Sequence, residues 1–132
     1  MYDSNAGKYA IVTGAVIALI AVVLGAFTAH ALKDVLDTYS KAIFETGVRY
    51  QMYHAFGILI IGVLFNLSRY SEVWLTRAAW AFGIGITLFS GSLYILALSD
   101  IRWFGAITPI GGASLLLGWV FLAVSTCSPR TN

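Results

Sequence analysis

Four stretches of this chain carry no charged side chain at all: residues 9–32, 50–68, 78–99 and 103–129, which hold 24, 19, 22 and 27 residues. A helix rises about 1.5 Å per residue and the hydrocarbon core of a bilayer is about 30 Å thick, so about 20 apolar residues make one crossing. Each stretch is long enough. The average supports the pattern: of the 132 residues, 59% are hydrophobic and 11% are charged, and the mean hydropathy is +0.83. Roughly a quarter of residues are charged in a soluble domain. The sequence therefore predicts an all-α fold, a four-helix transmembrane bundle forming a single integral membrane domain over residues 1–132. Its spans are expected near residues 9–31, 50–68, 78–99 and 108–127.

The tripeptide Ala29-His30-Ala31 looks like a signal-peptide cleavage site. The apolar run before it is longer than the ~7–15 residues of a signal core, so the first stretch is expected to be a span. Cys127 is the only cysteine, which leaves no disulfide within the chain. The net charge of +2 is small and its basic residues are scattered between the spans. That points to the lipid bilayer as the main partner, with a membrane-protein partner or a second copy beside it, and away from nucleic acid. Lys8, Arg69, Arg77 and Arg130 fall on one side of the membrane, and Lys33, Lys41, Arg49 and Arg102 on the other. The count is even. The short loop flanked by Arg69 and Arg77 favours cytoplasmic termini in the inner (plasma) membrane.

Residues 34–50 place Asp34, Asp37, Lys41, Glu45 and Arg49 on one helical stripe, opposite Val35, Leu36, Tyr39, Ile43, Gly47 and Tyr50. This predicts an amphipathic interfacial helical segment between spans one and two, either lying on the membrane or leading into the second span. Glu45 and Arg49 stand four apart in the favourable order for a surface ion pair. His54 falls on the other side of that helix, so it does not join them in one site.

A candidate polar cluster forms instead from His30, Gln51, His54, Ser90, Ser92, Tyr94, Arg102 and Thr108, all expected in the half of the bundle where spans one and three leave the bilayer. An ionisable group in a span is a functional candidate. A neutral imidazole is equally served by a backbone carbonyl or a serine on the next helix. Two histidines and Gln51 lack metal-ligand spacing, so no metal site is read. No nucleotide loop, haem attachment motif, nucleophile elbow or carboxylate pair is present, and neither a cofactor nor catalytic residues are assigned.

Small residues four apart, Ala21, Gly25 and Ala29 in span one and Ala79, Gly83, Thr87 and Gly91 in span three, are expected to be packing seams. Thr108 followed by Pro109 reads as a helix start, with threonine as the cap and proline as the first helical residue. On that reading residues 100–107 form a short re-entrant or interfacial segment, and the new helix start would turn amides towards His30, His54 and Arg102; the alternative is one continuous helix kinked at Pro109.

The segments GAFTAHALK (25–33), ETGVRYQMYHAFG (45–57), LFSGSLYILAL (88–98) and RWFGAITPIGG (102–112), with GW at 118–119, resemble the small membrane-protein family catalogued as domain of unknown function four-two-three. The resemblance covers nearly the whole chain and implies a four-span bundle, usually in the bacterial inner membrane, with no settled biochemical activity. Its motifs include His30, Glu45, Tyr50, Gln51, His54, Ser90, Ser92, Tyr94, Arg102, Thr108 and Pro109. Thr28 departs from it, because a glycine is common there. The reading that follows is a non-catalytic accessory or membrane-stabilising component. Its rivals are a proton or small-solute transporter using a His30/His54 cavity, and a membrane enzyme handling lipid or quinone.

Overall fold

The computed structural model describes residues 4–67 and 69–128. Along the chain it holds α1 (Ser4–His30), α2 (Thr38–Phe65), α3 (Glu72–Ser99), a 3-10 helix (Arg102–Ala106) and α4 (Thr108–Cys127). All four long helices have the length and hydropathy of a membrane span. Helix is what lipid demands, since every backbone N–H and C=O must find its partner within the segment. Neighbours in sequence are neighbours in space: α1 packs on α2, α2 on α3, and α3 on α4. The two middle helices are the most buried, while α1 and α4 turn most of their surface outward.

The charged stripe belongs to α2. Residues 31–36 make turns and bends, and Asp37 then caps the helix by accepting the Ser40 amide proton at 2.7 Å. That bond holds the exposed Asp37 carboxyl below the usual carboxylate range. From Thr38 the helix runs without a break into the span. Of the two forms expected for this segment, the structure has the extension.

The seam of α1 differs from the expected one. Its buried positions are Gly7, Gly14, Ala21 and Thr28, every seventh residue, whereas Gly25 is half-buried and Ala29 exposed. The cause is what each faces. A Cβ on Gly7 would lie 2.9 Å from the Gly62 carbonyl oxygen, and one on Gly14 would lie 3.0 Å from that of Ala55. A repeat of seven keeps one row on the partner helix at a shallow crossing angle. Thr28 fits this row as a fully buried residue, its hydroxyl donating to the Leu24 carbonyl at 2.8 Å.

In α3 the stripe Ala79, Gly83, Thr87 and Gly91 is not the seam either. Thr87 is exposed, and a Cβ on Gly83 or Gly91 would meet nothing within 4 Å. The packed surface carries Leu75, Ala78, Phe82, Gly85, Ser90 and Leu93. Against it α4 buries Gly111, Leu115, Gly118, Leu122 and Ser125, in alternating steps of four and three. Gly85 makes room for Leu115, Gly118 for Phe82, and the backbone at Gly111 lies on the backbone of Leu88 and Phe89.

Helix α3 ends at Asp100, which takes the left-handed conformation at φ 54°, one that aspartate tolerates better than most residues. The new helix begins at Thr108 as expected, with Pro109 in its first turn, but Ile107 occupies the cap position and no side chain caps it. The amides of Ile110 and Gly111 both bond to the Ile107 carbonyl, at 3.0 and 3.2 Å, and the Ile107 amide bonds to Phe104 at 3.1 Å. The 3-10 turn therefore uses up the amides expected to face His30, His54 and Arg102. Near the other end of the bundle Arg77 lies over the Trp74 ring at 4.6 Å, an interfacial pairing of cation and aromatic face. Arg130, counted with it above, lies outside the described residues.

Candidate functional site

Gln51 stands at the centre of the bundle and is 5% exposed. Its amide nitrogen donates to the Ile17 carbonyl of α1 at 3.0 Å, and its amide oxygen accepts the Tyr94 hydroxyl of α3 at 2.8 Å. One side chain thus joins three helices. A turn earlier, the Ser90 hydroxyl donates to the Gly47 carbonyl at 2.7 Å. Gly47 is required there because a Cβ would lie 2.7 Å from the Tyr94 ring. Phe44 closes the other side of that ring at 4.7 Å. In hydrocarbon the alternative to each bond is an unsatisfied polar group, which makes such ties position-specific.

A second tie joins α3 to the start of α4. The hydroxyls of Ser92 and Thr108 lie 2.7 Å apart, and Ser92 also donates to the Phe89 carbonyl at 2.9 Å. Lower on the same pair of helices, Ser114 donates to the Ala81 carbonyl at 2.8 Å. Five of the eight candidate residues, Gln51, Ser90, Tyr94, Ser92 and Thr108, are thereby engaged in interhelical bonds. Nothing in the residue pattern marks the backbone partners at Ile17 and Gly47, because any carbonyl can serve.

His54 is separate. Its Nδ1 lies 2.6 Å from the Tyr50 carbonyl one turn back, and its ring packs against Phe82 at 5.4 Å and Trp119 at 5.9 Å. Phe82 carries no sequence signal, being indistinguishable from a lipid-facing aromatic, and Trp119 enters the sequence reading only through the GW pair at 118–119. His30 is exposed at the end of α1, and Arg102 is exposed in the 3-10 helix. The Gln51–Ile17 bond sets the register of α1 on α2, so His30 lies 13 residues, about 20 Å, along α1 from the level of Gln51. The next turn of α2 carries His54 further away. The two rings therefore do not line one cavity, as the rival transport reading requires, because α2 starts at Thr38 and is already at mid-length when it reaches His54. Glu45 and Arg49 are both exposed on the upper part of α2, beside Gly25, and no bond joins them. Among the described residues no group of three or more His, Cys, Asp or Glu is placed to hold a metal ion.

Residues 24–112, which take in Gln51, His54, Ser90, Ser92, Tyr94 and Thr108, match the family model described as a protein of unknown function, DUF423. The chain belongs to the DUF423 family. It is 44% identical over 119 residues to a "UPF0382 membrane protein" of Staphylococcus epidermidis, covering 90% of this chain and 95% of that one. It is also 44% identical over 119 residues to the "UPF0382 membrane protein YwdK" of Bacillus subtilis, covering 89% and 95%. To the "UPF0382 inner membrane protein YgdD" of Escherichia coli K12 it is 36% identical over 117 residues, covering 89% and 88%. No solved structure matches it.

This DUF423 protein is a multi-pass membrane protein of four apolar helices, in a family whose Escherichia coli member is named for the inner membrane. The matched region begins near the end of α1 and closes near the start of α4, so it holds the Tyr94–Gln51, Ser90–Gly47 and Ser92–Thr108 bonds, while Ile17 and Ser114 lie outside it. What the DUF423 geometry offers chemically is a set of neutral donors and acceptors that join the helices, with the His54 imidazole bonded through Nδ1.

Proposed function

We propose that the protein is a non-catalytic accessory or stabilising component of the membrane, working as a preassembled helical unit through a membrane-protein partner or a second copy of itself. One observation supports this above others: among the described residues, no fully buried side-chain nitrogen or oxygen lacks a hydrogen-bond partner. The polar groups that a transporter would hold ready for its cargo are spent here on joining helices, as Gln51 joins α1, α2 and α3. The separation of His30 from His54 removes the paired imidazoles on which the transport reading depended.

Crosslinking in native membranes tests the proposal. A discrete larger species is expected, either twice the chain mass or the sum with a partner, and it should survive mild detergent. A chain that remains a lone species under crosslinking and runs as a monomer in detergent overturns it. Liposomes containing the purified protein should show proton leakage equal to empty ones.

A further inference from the structure

We propose that the groove between α2 and α4 binds a lipid-soluble molecule that carries a hydroxyl group, with His54 Nε2 as the acceptor. The groove measures about 750 Å³ and is lined by Tyr50, Tyr53, His54, Gly112, Leu116 and Trp119 among others. That volume suits a small organic molecule. The deciding feature is the unused half of the imidazole. A carbonyl oxygen only accepts, so the 2.6 Å contact with Tyr50 fixes the proton on Nδ1 and leaves Nε2 with an open lone pair. No described residue donates to it. His54 is 5% exposed, and no fully buried side-chain nitrogen is left unpartnered. Nε2 therefore keeps some exposed surface, and the groove is a cavity that His54 lines.

Depth makes this acceptor meaningful. His54 lies 16 residues after Thr38 and 11 before Phe65, or about 24 Å and about 17 Å from the two ends of α2. A hydrocarbon layer ~30 Å thick includes it whichever end it is measured from. Acyl chains supply no donor, so the lone pair goes unmet until a hydroxyl arrives. The ring itself is held still, with Phe82 at 5.4 Å behind it and Trp119 at 5.9 Å beside it. Trp119, Tyr50 and Tyr53 supply flat apolar walls, and Gly112 and Ala113 keep the α4 side low. An occupant with one donor and an otherwise apolar, ring-bearing body meets all of these surfaces. Binding here is independent of the accessory role proposed above.

The test uses the whole protein in phospholipid nanodiscs with 15N-labelled histidine. The chain has two histidines, so exposed His30 serves as the internal reference. The probes are 1-naphthol, its methyl ether, and dioleoylglycerol as a bilayer lipid with a free hydroxyl. The His54 Nε2 resonance should move saturably with naphthol while His30 stays fixed, and the ether should bind about tenfold more weakly for loss of the hydrogen bond. A response to dioleoylglycerol as well would assign the site to a lipid hydroxyl. A response to naphthol alone would assign it to a ring-bearing solute. His54→Phe keeps a ring and should bind alcohol and ether equally, read by equilibrium dialysis of the nanodiscs because its own imidazole resonance is gone. Should that variant fail to fold, Ala113→Phe fills the groove from the α4 side without touching His54, and should abolish the naphthol shift. Resonances that do not saturate, or equal responses to alcohol and ether in the unaltered protein, would overturn the proposal.

Discussion

The α1–α2 pair and the α3–α4 pair solve the same problem differently. Lipid gives apolar side chains little reason to prefer a neighbouring helix to an acyl chain, so close approach and polar ties have to do the selecting. In α1–α2 the approach is backbone to backbone along a row of small residues, Gly7 against Gly62 and Gly14 against Ala55, with one cross-helix bond from Gln51. In α3–α4 the glycines receive large side chains from the other helix, Leu115 over Gly85 and Phe82 over Gly118, and hydroxyls add two further ties. The first pair depends on absence of bulk along one row. The second depends on interlocking, so it specifies position and rotation at once.

Five substitutions and one control would break or sharpen this contrast. Gly111→Leu should do most, because its side chain would enter the backbone of Leu88 and Phe89, which has no rotamer to change. A loss of about 3 kcal/mol or more is expected, measured by unfolding in mixed detergent micelles followed by circular dichroism. Gly62→Leu comes next, since its Cβ would lie 2.9 Å from the Ile11 amide nitrogen and 3.0 Å from the Gly7 carbonyl oxygen. As α1 packs chiefly on α2, damage should be confined there. Hydrogen exchange should quicken in α1 and stay unchanged in α3 and α4; a uniform increase would mean that the pairs are not separable.

Gln51→Leu removes the tie that crosses both seams, and a loss of about 1–2 kcal/mol is expected. Tyr94→Phe should cost roughly half of that, and the double variant should be less damaged than the sum, which a double-mutant cycle would read. Gly83→Ala is the control for an open glycine: with nothing near its Cβ, it should leave stability unchanged or raise it by up to about 1 kcal/mol through helix propensity. A large loss would show that the stripe is packed after all. Asp37→Ala should have the smallest effect, faster amide exchange at Ser40 with the span intact. The native cap has the matching pH dependence. A carboxyl held below its usual range stabilises the folded form above the unfolded value near 4. That contribution disappears as pH falls through the lowered value.

Much of the architecture was legible because lipid imposes it. The gaps between charged residues marked four spans, and Thr108-Pro109 marked the helix restart, since both reflect local backbone requirements. Gln51, Ser90 and Tyr94 were recognisable as polar residues inside spans. The packing rows were not legible. In α1, both Gly7-Gly14-Ala21 and Ala21-Gly25-Ala29 are rows of small residues, and only Gly62 and Ala55, some forty residues or more along the chain, decide between them. The distance between His30 and His54 was not legible either. Arg49 closes the run of charges, yet α2 begins eleven residues before it at Thr38, and that helical extension carries His54 away from the end of α1.

The four rods are also of unequal reach. With 20 residues against 28 in α2, α4 extends about 30 Å and α2 about 42 Å. Interlocked with α3, the shorter rod acts as a gauge: it matches an ordinary bilayer with almost nothing to spare, while its neighbours project beyond the acyl chains. A thicker host membrane would have to thin around α4 before any other part of the protein noticed.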